Sequence, residues 1–88
     1  MILIPQRILG ESLLNSAEKS PEKIAVINGD KEISYSLLKL FSLKLASFLR
    51  DSGIRKGDRI GIYLKNSLES TIALYGITIA GGVFVFIN

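Results

Sequence analysis

Hydrophobic residues recur along the chain first with a helical period and then in short extended runs. Over residues 8–19, Leu9, Leu13 and Ala17 follow one another every four positions, which is the spacing of a helix with one apolar side. Pro21 comes directly after this segment and cannot continue a helix. The pattern therefore predicts a first helix over about Ile8 to Lys19.

A β-hairpin is predicted next. Residues 23–28 are short and rich in β-branched side chains, and residues 31–34 form a second short run. Gly29-Asp30 stand between them. The turn is predicted around Asn28-Gly29, because both residue types tolerate the positive φ that tight hairpin turns need.

A longer helix is predicted from about Tyr35 to Ser52. Ser34 is placed to cap its start, and Gly53 stands where a glycine commonly ends a helix. The main apolar face of this helix is predicted to contain Leu38, Phe41, Leu45, Phe48 and Leu49. Leu40 and Leu43 form a second apolar patch on the opposite side, which a helix packed on one small core would not need.

The last third of the chain predicts a strand, a helix and a second strand. Residues 60–64 form an apolar run, Asn66-Ser67 precede a helical segment from Leu68 to about Ala80, and Gly81-Gly82 separate it from residues 83–87. Such a unit has parallel strands and a right-handed crossover. Both strands are nearly continuous apolar runs, which predicts that both faces of the sheet are covered.

Charge does not indicate a nucleic-acid partner. Eleven Lys and Arg against eight Asp and Glu give a net charge of +3 over 88 residues. The densest basic group, Arg55, Lys56 and Arg59, falls in a predicted turn and includes Asp58, with Asp51 nearby. Nucleic-acid binders show a larger, clustered basic excess with interleaved aromatic residues, so we predict no such partner.

The chain contains neither Cys nor His. This excludes disulfides, thiolate nucleophiles, the common zinc sites and His-based acid–base pairs within these 88 residues. A chain without Cys fits a cytoplasmic protein. The serines near predicted helix starts lack a His partner that would activate them; they are Ser34, Ser36, Ser67 and Ser70.

The remaining polar residues have structural explanations. Gly81-Gly82 follow a helix and precede a strand, which is the reverse of a phosphate-binding loop, and Tyr35 and Tyr63 more often pack or form rim hydrogen bonds than stack on ligands. Glu69 lies in the first turn of its predicted helix, where its negative charge interacts favourably with the helix dipole. The carboxylates that lie near predicted turns or helix ends are Asp30, Glu32, Asp51, Asp58 and Glu69. We therefore predict no catalytic, cofactor-binding or metal-binding residue in this chain.

A C-terminal membrane anchor is an alternative interpretation of residues 70–88. This segment has no charged residue and is long enough to span a bilayer. Gly76 and the Gly81-Gly82 pair interrupt it, however, and no Lys or Arg follows to anchor the far end. These features make a membrane location the less favoured alternative.

Five phrases follow one another at ordinary spacing along the chain, at residues 21–27, 33–38, 57–64, 66–69 and 80–88. Together they resemble the N-terminal part of the adenylate-forming superfamily, which includes acyl-CoA synthetases, luciferases and peptide-synthetase adenylation domains. That family typically shows a Leu-Thr-Tyr-x-Glu-Leu phrase, a Gly-Asp-Arg-Val phrase and an Ala-Gly-x-x-Tyr-Val-Pro-Leu-Asn phrase. The resemblance covers about Leu9 to Asn88.

The resemblance implies an α/β fold in which residues 1–88 are a partial N-terminal subdomain of a larger adenylate-forming enzyme. Complete relatives use Mg-ATP to convert a carboxylic acid to an acyl-adenylate, then transfer it to the thiol of coenzyme A or of a carrier. Their Ser/Thr/Gly-rich phosphate loop ending in Lys, ATP-binding phrases and late catalytic Lys match no position here. The resemblance therefore implies a fragment of an acid–thiol ligase that is inactive alone and needs the remainder of the enzyme or a complementing chain.

An interaction module that stands alone is the second alternative. It would pair through an exposed sheet edge and through Leu40 and Leu43. A severed piece of an enzyme should instead aggregate through residues 83–87, an uncharged β-prone segment.

The chain departs from the family pattern at several positions. Leu37 replaces a Glu and so removes a capping box, and Leu68 replaces a Pro at the first helical position. Phe86 replaces a Pro and Ile79 a frequent Lys, which makes this segment more apolar. Asn88 resembles the acyl-CoA synthetase branch, since peptide-synthetase domains more often carry Asp there.

Overall fold

The computed structural model describes residues 6–63 and 67–87 and confirms the predicted α/β order. The antiparallel pair β1–β2 is a hairpin, and β3 and β4 form a parallel pair joined through α3. The right-handed sense of this crossover stays a prediction. The elements are α1 (Gln6–Lys19), β1 (Ile24–Asn28), β2 (Lys31–Ser34), α2 (Tyr35–Asp51), β3 (Arg59–Ile62), α3 (Leu68–Ile79) and β4 (Val83–Phe86).

The hairpin forms at the predicted place, between a strand that ends at Asn28 and a strand that begins at Lys31. Asn28 pairs with Lys31, so Asn28 ends β1 and the loop consists of Gly29 and Asp30. Gly29 carries the positive φ, at 66°. A glycine with positive φ at the first loop position is typical of a type II′ turn, in which Asn28 needs no unusual conformation.

Helix α2 begins and ends at the predicted caps. The Leu37 N–H donates to Ser34 Oγ at 3.3 Å. At the other end, Gly53 has a φ of 97°, its N–H donates to the Arg50 carbonyl at 3.0 Å, and the Ile54 N–H donates to the Leu49 carbonyl at 3.1 Å. These two bonds form a Schellman motif, which satisfies carbonyls that the helix end leaves free.

The buried side of α2 differs from the predicted apolar face. Leu38 is buried as predicted, but its buried companions are Ser42 and Ala46, while Phe41 is exposed and Phe48 is 65% exposed. The helical wheel selects the buried side of a helix by hydropathy alone. Where two helices approach closely, small side chains fit best, and α2 buries the small residues Ser42 and Ala46.

Helix α3 ends in a second Schellman motif and receives a cation from α2. Gly81 has a φ of 91° and donates to the Thr78 carbonyl at 3.1 Å, and Gly82 donates to the Ile77 carbonyl at 3.0 Å. The last turn of α3 contains no basic residue. Arg50 supplies the charge instead, since its guanidinium donates to the Ile79 carbonyl at 2.8 Å.

The hydrophobic core joins α1, the hairpin, α2 and α3. Its buried members are Leu13, Ile33 and Leu38, surrounded by partly buried residues that include Ala25, Val26, Tyr35, Leu68, Ile72, Tyr75 and Ile79. Within residues 6–63 and 67–87, the search for a helix long and apolar enough to cross a membrane found none.

Candidate docking surface

The serines singled out from the sequence cap helices. Ser67 and Ser70 form a reciprocal capping box at the start of α3: the Ser70 N–H donates to Ser67 Oγ at 3.2 Å, and the Ser67 N–H donates to Ser70 Oγ at 3.0 Å. Sequence reasoning missed the part that Ser70 has in this box, because the usual partner is Glu or Gln. The predicted capping residue Asn66 lies outside the described residues. Ser34 caps α2, with Ser36 Oγ 3.1 Å from its hydroxyl.

The basic turn before β3 is organised by Asp58. Its Oδ2 accepts the Arg55 N–H at 2.9 Å, and its carbonyl accepts the Val83 N–H at 2.7 Å. Asp58 thus closes the turn and starts the parallel pairing of β3 with β4. In the described part of the chain, no three potential metal ligands of the types His, Cys, Asp and Glu come together.

Two tyrosines contribute to the core and one lies at its outside. Tyr35 is half-buried against the core, as is Tyr75, which the sequence analysis did not single out. Burial raises the pKa of Tyr75 above its ordinary value, and the nearby Tyr35 raises it further. Tyr63 follows β3 and is 73% exposed, so its ring is free to contact a neighbouring surface.

An apolar groove of about 270 Å³ lies between α2, β3 and α3. None of the residues that line it carries a charge, and Tyr63 contributes the one polar side chain. Small-molecule sites combine apolar walls with several convergent polar groups, which this groove lacks. Its lining suits apolar side chains from further protein; it consists of Leu45, Leu49, Ile60, Gly61, Ile62, Tyr63, Ala73 and Ile77.

One side of the β3–β4 pair is left bare, and we call Tyr63, Val85 and Ile87 the uncovered face. Gly61 pairs with Val85 in the parallel register, so alternation along each strand places these three side chains on the same side. All three are exposed, and the Ile87 side chain lies over Gly61. The prediction that β4 is buried with both faces covered is therefore wrong for this chain by itself, since nothing described here packs on that side.

The second apolar patch of α2 is also exposed. Leu40 is 45% exposed and Leu43 is similarly accessible; both border a shallow hollow with Ala17 and Pro21. The uncovered face, the groove and this patch are three exposed apolar surfaces on one small protein. Such exposed apolar area is typical of a surface on which more protein packs.

Comparisons with known proteins show the family to which the chain belongs. The AMP-binding enzyme family matches residues 13–88. The chain belongs to the AMP-binding enzyme family. It is 35% identical over 85 residues to the long-chain-fatty-acid–CoA ligase of Bacillus subtilis, covering 97% of this chain and 15% of the ligase.

Relatives in the AMP-binding enzyme family extend to peptide synthetases. Gramicidin S synthase 2 of Brevibacillus brevis is 37% identical over 84 residues, which are 96% of this chain and 2% of the synthase. Among solved structures, Mycobacterium tuberculosis fatty acyl CoA synthetase superposes with a TM-score of 0.81 at 32% identity, covering 91% of this chain and 16% of that chain. The 88 residues thus span 15%, 2% and 16% of these three proteins, and they correspond to the N-terminal part of these enzymes.

Proposed function

We propose that residues 1–88 are a scaffold-forming N-terminal subdomain of an AMP-forming acid–thiol ligase and are inactive alone. The complete enzyme would convert a carboxylic acid to an acyl-adenylate with Mg-ATP and pass the acyl group to a thiol of coenzyme A or a carrier. The remainder of the adenylating domain would bind these cofactors. This chain would supply the first two strands of the parallel sheet against which that remainder packs.

The observation that carries this proposal is the exposed apolar face of the β3–β4 pair. It agrees with the small part of its relatives' length that this chain spans. A parallel pair of strands is stable when both faces are covered, yet Val85 and Ile87 are exposed on one face. The long-chain-fatty-acid–CoA ligase of Bacillus subtilis is about six to seven times longer than the segment it shares with this chain. In the complete enzyme, residues that correspond to the rest of this ligase would pack on the uncovered face.

A fatty acid is the substrate class we favour, and the cytoplasm the location. Two features support the acyl-CoA branch: Asn88, which lies outside the described residues, and relatives that are fatty-acid–CoA ligases. The absence of Cys supports a reducing compartment.

Reconstitution tests the proposal. The 88-residue chain is mixed with the Bacillus subtilis ligase from which the matching segment has been deleted, and fatty-acid-dependent AMP release is measured with coenzyme A present. We expect neither part alone to release AMP and the mixture to do so. Val85→Asp places a charge on the uncovered face and should prevent recovery, whereas Glu18→Ala on α1 should not. AMP release by the 88-residue chain alone would contradict its proposed inactivity.

The stand-alone interaction module remains a second candidate because Leu40 and Leu43 are exposed. It predicts a monomer that unfolds in one cooperative transition and gives no recovery in the mixture. Detection of that pattern would favour the module over the ligase segment.

A further inference from the structure

Gln6, the first residue of α1, binds the backbone of β4 through its side chain. The Phe84 N–H donates to Gln6 Oε1 at 2.9 Å, and Gln6 Nε2 donates to the Phe84 carbonyl at 3.2 Å. The amide of one side chain thereby makes both hydrogen bonds that a residue of a neighbouring strand would make. The two residues are 78 positions apart, so this contact also ties the start of the chain to its last strand.

These bonds lie on the outer edge of β4. On the inner edge, the Val83 N–H donates to the Asp58 carbonyl and the Ile87 N–H donates to the Ile62 carbonyl. Backbone groups of successive strand residues point to alternate edges, so Phe84 and Phe86 both point outward. In the described part of the chain, Gln6 takes the place of a strand at Phe84, and Phe86 has no such partner.

An open edge here would invite strand pairing. Residues 83–87 are uncharged, β-branched or aromatic, and contain no Pro. Such a segment is a template for edge-to-edge association, and proteins protect edges with charges, prolines or a covering element.

Two copies would pair most extensively in an antiparallel arrangement centred on Val85. Phe84 of one copy would then lie opposite Phe86 of the other, and each such pair would exchange both of its backbone hydrogen bonds. Every one of these pairs contains a Phe84. Because Gln6 already occupies both backbone groups of Phe84, it blocks the whole arrangement.

We propose that Gln6 closes the outer edge of β4 against pairing with β4 of a second copy of this chain. The proposal goes beyond the ligase function and does not depend on it. It gives an uncharged β-prone strand with one bare face a protected position on its outer edge. Gln6 is suited to this purpose because an amide carries both a donor and an acceptor, whereas Ala at this position has neither.

Sedimentation equilibrium of the 88-residue chain tests the proposal with three variants. Gln6→Ala opens Phe84 and should strengthen self-association by about tenfold or more relative to wild type, since two backbone groups per copy become available. Gln6→Glu is the matched control: it still accepts the Phe84 N–H and adds an edge charge, so it should stay as monomeric as wild type. In Gln6→Ala/Phe86→Pro, the outward N–H of residue 86 is removed while the β3–β4 ladder is spared, and the monomer should return.

Amide hydrogen exchange provides the second measurement, and it uses the wild-type chain. We expect slow exchange at the Phe84 N–H and fast exchange at the Phe86 N–H, a contrast that decides the matter even where Gln6→Ala fails to fold. Equal exchange at the two amides would overturn the proposal. So would association of Gln6→Ala no stronger than that of wild type, or association that Phe86→Pro leaves unchanged, because the contact would then run through another surface.

Discussion

Helices α2 and α3 approach so closely at Gly76 that we expect Gly76→Ala to destabilise the fold. A Cβ atom at Gly76 would lie 2.7 Å from Leu45 Cδ2 and 2.9 Å from both Leu45 Cβ and Cγ. A new rotamer can move Cδ2, but Leu45 Cβ is fixed to the backbone of α2. The two helices must therefore separate to admit the methyl group.

The magnitude follows from two opposing effects. Overpacking a close contact costs about 1–3 kcal/mol, whereas replacing Gly by Ala inside a helix stabilises it by about 0.8–1.0 kcal/mol. The net expectation for Gly76→Ala is a loss of about 1 kcal/mol. Urea unfolding followed by far-ultraviolet circular dichroism measures it as a lower midpoint with an unchanged slope.

Gly10→Ala is the matched control, since Gly10 is also buried within a helix. Its Cβ would meet Ile79 Cγ1 and Thr78 Cγ2 at 3.3 Å, and a shift of a few tenths of an ångström would relieve both contacts. The same gain in helix propensity should make Gly10→Ala neutral or slightly stabilising, so the two variants should differ by about 1–2 kcal/mol. A Gly76→Ala variant as stable as Gly10→Ala would refute the close approach.

Three further outcomes are expected from the core and the caps. Ser42 is fully buried and its Oγ has no hydrogen-bond partner in the described part of the chain. Ser42→Ala should therefore raise the free energy of unfolding by about 1 kcal/mol, measured as a higher urea midpoint; a lower midpoint would contradict an unpaired Ser42 hydroxyl. The raised pKa of Tyr75 stabilises the fold below the ordinary pKa of 10.0, and this contribution is lost as pH rises through the folded-state value. Melting at about pH 9 and 11 should therefore show a smaller loss for Tyr75→Phe than for wild type, and equal losses would contradict that cause. Ser67→Ala removes the α3 cap and should cost about 1 kcal/mol, unlike Ser47→Ala on the exposed side of α2; equal effects would rule out the capping contribution.

The features that the sequence predicted are those set by neighbouring residues. Ser34 and Gly53 mark the ends of α2 because capping bonds span only three to five positions, and Gly81 marks the end of α3 for the same reason. The parallel pairing of β3 and β4 also follows from a short strand–helix–strand unit.

The features that it missed depend on distant partners. The hydrogen bonds between Gln6 and Phe84 join the two ends of the chain, and no local pattern indicates them. The burial of Ser42 in place of Phe41 depends on how closely neighbouring helices approach, which hydropathy does not encode.

Of the exposed apolar surfaces, the sequence predicted the patch on α2 but not the uncovered face. The excess apolar side at Leu40 and Leu43 signalled that more protein packs on α2, and both residues are exposed. The uncovered face was not predicted, because a continuous apolar strand indicates covered faces without saying whether the same chain covers them. Its exposure supports the proposal that this segment works within a larger domain.

The most direct test of that central claim is the nucleotide sequence immediately downstream of codon 88, translated in all three frames. If residues 1–88 are a segment of an adenylating enzyme, a Ser/Thr/Gly-rich stretch ending in Lys should follow in one of the frames. A downstream region without any ligase sequence would contradict the account, and this chain would then have to act through its own exposed surfaces.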